Sequence, residues 1–171
     1  MGGLEGSHMP DMLVSLLHLP RVDDLLAKLR EEKIHLRRPN PWELTDLREF
    51  IEKTFSRSWA DEATVAMFNK PISAFIATHG GQVIGFAAYE CTRRDFFGPT
   101  GVAEAYRGKG VGTALLLASL HSMQELGYAY AIIGGAGPVD FYAKTVGAVP
   151  ITLDNGRGIY ALHEDPRFLR E

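Results

Sequence analysis

The sequence predicts a mixed α/β domain: a central, mixed, largely antiparallel sheet flanked by helices. Two observations point there. Strand-like stretches separated by glycine turns read as hairpins on both sides of the chain. Between them lies one strand–helix–strand run, roughly residues 96–133, of the kind that joins parallel strands.

Length and composition agree with a single domain. The chain has 171 residues, and domains usually hold about 100–200. No internal repeat is visible. With 46% hydrophobic and 23% charged residues, wholesale disorder is excluded. The net charge of −3 gives no basic surplus to neutralise a phosphate backbone, so no nucleic-acid partner is expected. The pairs Arg37-Arg38 and Arg93-Arg94 read as solvated surface. One cysteine, Cys91, excludes an internal disulfide and a cysteine metal cluster. No His/Asp/Glu group has metal-ligand spacing, so no metal is expected. No apolar run approaches the roughly 20 residues that span a bilayer, so no membrane partner is expected. No charged-then-apolar leader is present, and a reducing, cytoplasmic setting is expected. Gly6-Ser7-His8-Met9 looks like a cloning scar. Residues 1–8 are therefore set apart, 9–33 are expected to be an N-terminal helical segment, and 34–171 the single domain.

In chain order, Val22, Leu25, Leu26 and Leu29 make one face of a short helix with Asp23 and Asp24 in its first turn. Residues 34–38 alternate as a half-buried strand. Asn40-Pro41-Trp42-Glu43 is a helix start, with Asn as cap, Pro first and Glu at the third position. Leu44, Leu47, Ile51 and Phe55 hold its apolar face. A second short helix covers residues 59–68. A strand over 72–78, a turn at His79-Gly80-Gly81-Gln82 and a strand over 83–90 make a hairpin. The next strand, 96–102, contains Gly98, Pro99 and Gly101, so its pairing should be interrupted. A helix apolar on most sides runs from about 110 to 126 and stops at Gly127. Residues 128–133 form a continuous apolar strand, as in a buried parallel pair. A short helix over 138–146 follows. Residues 148–153 and 159–162 are expected as a last hairpin around Asp154-Asn155-Gly156. The apolar segment 13–19 is left either to cover its own sheet or to meet a partner, and a homodimer stays open.

The informative stretch runs Val102-Ala103-Glu104-Ala105-Tyr106-Arg107-Gly108-Lys109-Gly110-Val111-Gly112-Thr113. It leaves a strand and opens a helix. Glycines there expose backbone N–H groups, the helix start adds partial positive charge, and Arg107 and Lys109 add full charges. A phosphate site is the consequence. A Walker A loop fails: Gly110 follows Gly108-Lys109 where a hydroxyl residue belongs, and Ala103 replaces the first glycine. A dinucleotide fingerprint fails too, because Asp140 stands at the third glycine of Gly135-Ala136-Gly137-Pro138-Val139-Asp140.

Arg107-x-x-Gly110-x-Gly112 after a strand ending at Val102 resembles the pyrophosphate loop of the GNAT family, the Gcn5-related N-acetyltransferases. The resemblance covers roughly residues 34–162 and includes the order of elements. Downstream, Phe141-Tyr142-Ala143-Lys144-Thr145-Val146-Gly147 resembles the family's Phe-Tyr-x-x-x-Gly segment, with one extra residue before the glycine. Ala148 stands where an aromatic is common, Gly135 where an asparagine is frequent, and Glu104 where proline is frequent.

The resemblance implies a sheet whose parallel central strands, ending near Val102 and Ile133, splay apart to admit acetyl-CoA. It implies direct transfer of the acetyl group to a primary amine of a small-molecule or peptide acceptor. Arg107, Gly108, Lys109, Gly110, Val111, Gly112 and Thr113 would cradle the pyrophosphate. Val102 and Ala103 would offer backbone partners to the pantetheine and thioester. Tyr142 would protonate the departing thiolate. Glu90, at the end of an apolar strand, is the candidate general base, against an ordinary exposed strand-end charge; Glu104 is a weaker one. Phe55 and Trp59 would line the acceptor pocket or simply pack in the core. Cys91 reads as a small buried hydrophobe rather than an acyl carrier, and His121 as a surface histidine. The alternative from another class is a non-catalytic acyl-CoA-binding or sensing module on the same fold.

Overall fold

The computed structural model describes residues 9–164. The stretch read as a cloning scar, 1–8, lies outside the described residues, as does the end of the expected domain. In order the elements are β1 (Met12–Ser15), α1 (Asp23–Glu31), β2 (Ile34–Arg37), α2 (Leu44–Thr54), α3 (Arg57–Phe68), β3 (Ala74–His79), β4 (Gln82–Tyr89), β5 (Phe96–Val102), α4 (Val111–Glu125), β6 (Tyr130–Ile133), α5 (Val139–Val146) and β7 (Val149–Pro150).

Among the described residues the strands form one sheet in the order β2–β3–β4–β5–β6–β1–β7. Every neighbouring pair is antiparallel except β5 and β6. The sheet is mixed, as expected. Apolar side chains leave both of its faces. One core gathers Ile84, Ala87, Tyr89 and Phe97 with α1, α4 and α5. The other gathers Ile76, Phe86 and Ala88 with Leu47 and Ile51 of α2 and Ala60, Ala63 and Met67 of α3. Helix α4 is apolar nearly all round because the sheet lies under it and α1 packs on it.

Local chemistry explains most boundaries. Gly80 and Gly81, at φ +58° and +77°, make the two-residue turn between β3 and β4. Asn40 and Glu43 form a capping box ahead of α2. The Ser56 hydroxyl accepts the Trp59 N–H at 3.2 Å and starts α3. Gly147, at φ +67°, ends α5.

Three expectations are corrected. The segment 9–33 is not wholly helical: Met12, Val14 and Leu16 are buried while Leu13 faces out, so β1 sits between β6 and β7. The expected last hairpin is replaced. Only Val149 and Pro150 pair, with β1, and Pro150 has no N–H to extend the ladder. Asp154, Asn155 and Gly156 all take positive φ, one residue more than a tight hairpin turn uses, and the chain continues in 3₁₀ turns. Finally, Arg37 and Arg38 are not idle surface. Arg37 pairs with both oxygens of Glu43 at 2.7 and 2.8 Å. Arg38 lies over the Phe75 ring, 4.6 Å from its centre, and donates to the Tyr89 hydroxyl and Ser122.

Candidate active site

The parallel strands β5 and β6 pair only at Phe96↔Ile132 and Phe97↔Ile133. Beyond Phe97, strand β5 keeps its partner β4, through Thr100↔Ala87, Gly101↔Phe86 and Val102↔Gly85, but its other edge is free. The sequence explains the parting. Gly98 takes φ +122°, and Pro99 has no N–H to offer β6.

The gap opens a cavity of about 710 Å³. Trp59 and Glu62 line it from α3, on one face of the sheet. Gly112 and Leu116 of α4 and Phe141 and Tyr142 of α5 line it from the other. The cavity therefore runs through the sheet at the splay. Two ligands could meet there from opposite faces.

On the α4 side, Val102 holds the free edge. Ala103 N–H donates to the Ile84 carbonyl at 2.8 Å, so strand alternation turns the Val102 N–H away from β4. That same bond corrects the expectation for Ala103. Its N–H is taken by Ile84 and its carbonyl by the Tyr106 N–H, so Ala103 has no backbone group left to offer a ligand.

The loop then turns at Gly108 and Gly110, at φ +78° and +90°. Gly110 precedes α4, whose start carries no side-chain cap. The first intrahelical bond is Ala114 N–H to the Gly110 carbonyl, so the N–H groups of Val111, Gly112 and Thr113 have no partner within the helix. These donors and the helix dipole are an arrangement that could bind an anion. Arg107 folds back to donate to the Val102 carbonyl at 3.1 Å, and Lys109 pairs with Glu32 at 3.2 Å. Both cations stay at the rim of the loop.

Tyr142 is 5% exposed and lines the cavity, edge-on to Phe97 and Phe141. Burial pushes its hydroxyl up to about 12, so it holds its proton at neutral pH. Cys91 is not among the lining residues; it packs against the α2–α3 core with its thiol on the Gly98 carbonyl at 3.2 Å. Burial, with Glu62 nearby, pushes that thiol up to about 12, which suppresses the thiolate.

Two expected residues stand elsewhere. Glu90 is not in this cavity. It follows the end of β4 at φ +58°, and its carboxylate accepts the Asp95 N–H at 2.5 Å, closing the turn before β5. It lines a separate polar hollow with Lys70, Arg94 and Tyr128. Phe55 is not among the lining residues either; it packs with Phe50, Trp59 and Phe86 in the α2–α3 core. Trp59 does line the cavity.

Sequence reading missed Glu62 and Tyr160. The Tyr160 hydroxyl stands 2.7 and 2.9 Å from the two Glu62 oxygens, and the Thr92 hydroxyl also donates to Glu62. Glu62 was findable: it lies three residues after Trp59, on the same helical stripe. Tyr160 carried no comparable signal. It arrives because Asp11 accepts the N–H groups of Gly135 and Ile159, at 2.8 and 2.9 Å, and ties the C-terminal turn to β6. Among the described residues, no group of three or more His, Cys, Asp or Glu could hold a metal ion. No described helix is long and apolar enough to cross a membrane.

The model of the Acetyltransferase (GNAT) family matches residues 39–148. No curated protein sequence matches the chain. Among solved structures the chain is similar to one described as a GCN5-related glucosamine N-acetyltransferase region in a fungal multi-domain GH3 β-N-acetylglucosaminidase. The TM-score is 0.69 at 18% identity, covering 86% of this chain and 20% of that one. It is also similar to a GCN5-related N-acetyltransferase from Sphaerobacter thermophilus, with TM-score 0.63, 17% identity, and 83% and 48% of the two chains covered. A Drosophila protein matches with TM-score 0.56 at 11% identity, over 83% and 47%. The chain thus spans about a fifth of the first structure and about half of the other two. At these identities the likeness establishes a shared fold.

Proposed function

The chain belongs to the GNAT family of acetyltransferases, and on that premise we propose that it is an acetyl-CoA-dependent N-acetyltransferase acting on a primary amine. The parted β5–β6 pair carries the proposal. It leaves a backbone edge at Val102 beside an uncapped helix start, with Tyr142 in the same cavity. A strand edge suits an amide-bearing pantetheine arm, and an anion site suits a pyrophosphate.

Acetyl-CoA supplies a thioester as co-substrate. The N–H groups of residues 111–113, with Arg107 and Lys109, hold the pyrophosphate. Arg107 would exchange its Val102 carbonyl for phosphate oxygens, a stronger charged partner. The Val102 N–H, turned away from β4, would donate to the thioester oxygen as negative charge develops. Tyr142 gives its proton to the sulfur as the C–S bond breaks and the amine nitrogen forms the C–N bond. It then takes back the surplus proton of the new amide. A cytoplasmic setting, with acetyl-CoA and reduced thiols, fits this chemistry.

The experiment is a thermal-shift titration with acetyl-CoA, CoA, NAD and ATP side by side, followed by thiol release with amines. A ligand at 100 times its dissociation constant adds about 2.7 kcal/mol of stability. Shifts with acetyl-CoA and CoA alone are expected. No shift with either at millimolar concentration overturns the proposal, and coenzyme binding without thiol release from any amine favours a sensing module.

A further inference from the structure

We propose that the Glu62 carboxylate is the seat of the acceptor's ammonium group, and that the acceptor is a primary amine on an apolar body with no carboxylate of its own. This rests on the acetyltransferase reading and adds the substrate class.

Glu62 enters the cavity from α3, opposite the face that carries the phosphate loop. It is the one formally charged side chain among the described residues lining the cavity. No ion pair engages it among the described residues. Its two fixed partners, the hydroxyls of Tyr160 and Thr92, orient the carboxylate without neutralising it. Burial and Glu62 itself push the Tyr160 hydroxyl well above its ordinary range, so Tyr160 stays a donor. A carboxylate held by two neutral donors beside a cavity is short of one positive charge, which an alkylammonium supplies.

The surroundings set the rest of the acceptor. Trp59, Pro99 and Tyr160 also line the cavity, with the backbone of Gly101, Gly134 and Gly135. Aromatic faces beside a carboxylate favour an organic cation. An amino acid would bring a second carboxylate towards Glu62, and no cation stands among the described lining residues to compensate. A polyhydroxylated body would find Ser58 and Thr100 as partners but would set most of its hydroxyls against Trp59, Pro99 and the tyrosine rings. The glycines are required for this shape: a side chain on Gly135 would stand 2.5 Å from the Tyr160 ring.

The same carboxylate gives the amine its route to reactivity. One ammonium proton passes to a Glu62 oxygen and from there to water, which frees the nitrogen lone pair that forms the C–N bond. Tyr160 acts through Glu62 and is a positioning residue.

The test is calorimetric titration of 2-phenylethylamine, n-hexylamine, glucosamine and phenylalanine into protein saturated with CoA, with thiol release measured in parallel. The two apolar amines should bind at least tenfold more tightly than glucosamine or phenylalanine. Glu62→Gln should weaken them at least tenfold and lower thiol release further, while its thermal shift with acetyl-CoA matches the parent. Tyr160→Phe should raise KM for the amine several-fold and leave the coenzyme shift unchanged. Equal binding of phenylalanine, preference for glucosamine, or full affinity and turnover in Glu62→Gln overturns the assignment of class and seat. A parent protein that shows no shift with CoA overturns the acetyltransferase reading as well, so the two failures are separable.

Discussion

A side chain on Gly101 would stand 2.4 Å from the ring of Phe55. Phe55 is thus a prop beneath β5 rather than a wall of the cavity. It is held edge-on to Phe50 and against Trp59 and Phe86. The strand needs that support because its other edge is unpaired beyond Phe97. Gly101→Ala should therefore lower stability by about 1–3 kcal/mol, the usual cost of overpacking. Thermal unfolding measures it. Adding Phe55→Leu should restore at least half of the loss; no recovery would mean that the ring is not what the new methyl meets.

Glu43 gives a pH-dependent signature. The Arg37 guanidinium pairs with its carboxylate and the Asn40 N–H adds a bond, holding it down to about 2. An unfolded glutamate titrates near pH 4.3. The folded value is the lower one, so the contribution is complete above about pH 4.3 and fades as pH falls towards about 2. Arg37 is 42% exposed, which limits the pair to about 1 kcal/mol after screening. Glu43→Gln should cost that much at neutral pH, and the gap to the parent should close in acid. A gap that stayed constant down to low pH would place the effect in the helix cap alone.

Most of the sheet was legible because its signals are local. Gly80-Gly81 forces a turn, Pro99 withholds a donor, and residues 96–102 form the strand expected of them. Strand β1 was not legible. The run Met12-Leu13-Val14-Ser15-Leu16 is apolar at four of its five positions, so its alternation shows only once β6 and β7 bury one side. The C-terminal turn was hidden for a similar reason, since its anchor, Asp11, lies 148 residues away in sequence. At the site, the turn ahead of α4 and its uncapped start could be read from Gly108 and Gly110. Glu90 misled because strand-end position says nothing about which end of the sheet opens. Ala103 misled because motif spacing does not reveal which backbone groups β4 already uses.

Asp11 is the next test. Its two oxygens separately accept the N–H groups of Gly135 and Ile159. Asp11→Ala leaves both donors without their partner at positions only partly open to water. The expected loss is about 1–3 kcal/mol, and amide exchange should quicken at residues 135 and 159 together. Exchange that quickens at only one of them would show that the N-terminal segment does not couple the β6 loop to the Tyr160 turn.

Tyr142 separates catalysis from binding. Its hydroxyl is the only group Tyr142→Phe removes, and the ring's contacts with Phe97 and Phe141 remain. General acids contribute about 10²–10⁴-fold, so kcat should fall by about 10²-fold or more while the thermal shift with CoA is unchanged. The pH dependence follows from burial. With the hydroxyl raised to about 12, the acid form persists as pH rises and is lost only near that value. Rates of the parent protein should therefore show no alkaline fall due to Tyr142 between about pH 7 and about pH 10, the range in which an ordinary tyrosine would begin to titrate. An alkaline limb in that range that vanishes in Tyr142→Phe would contradict the burial. A variant as fast as the parent would remove Tyr142 from the chemistry and leave the sulfur to be protonated by water.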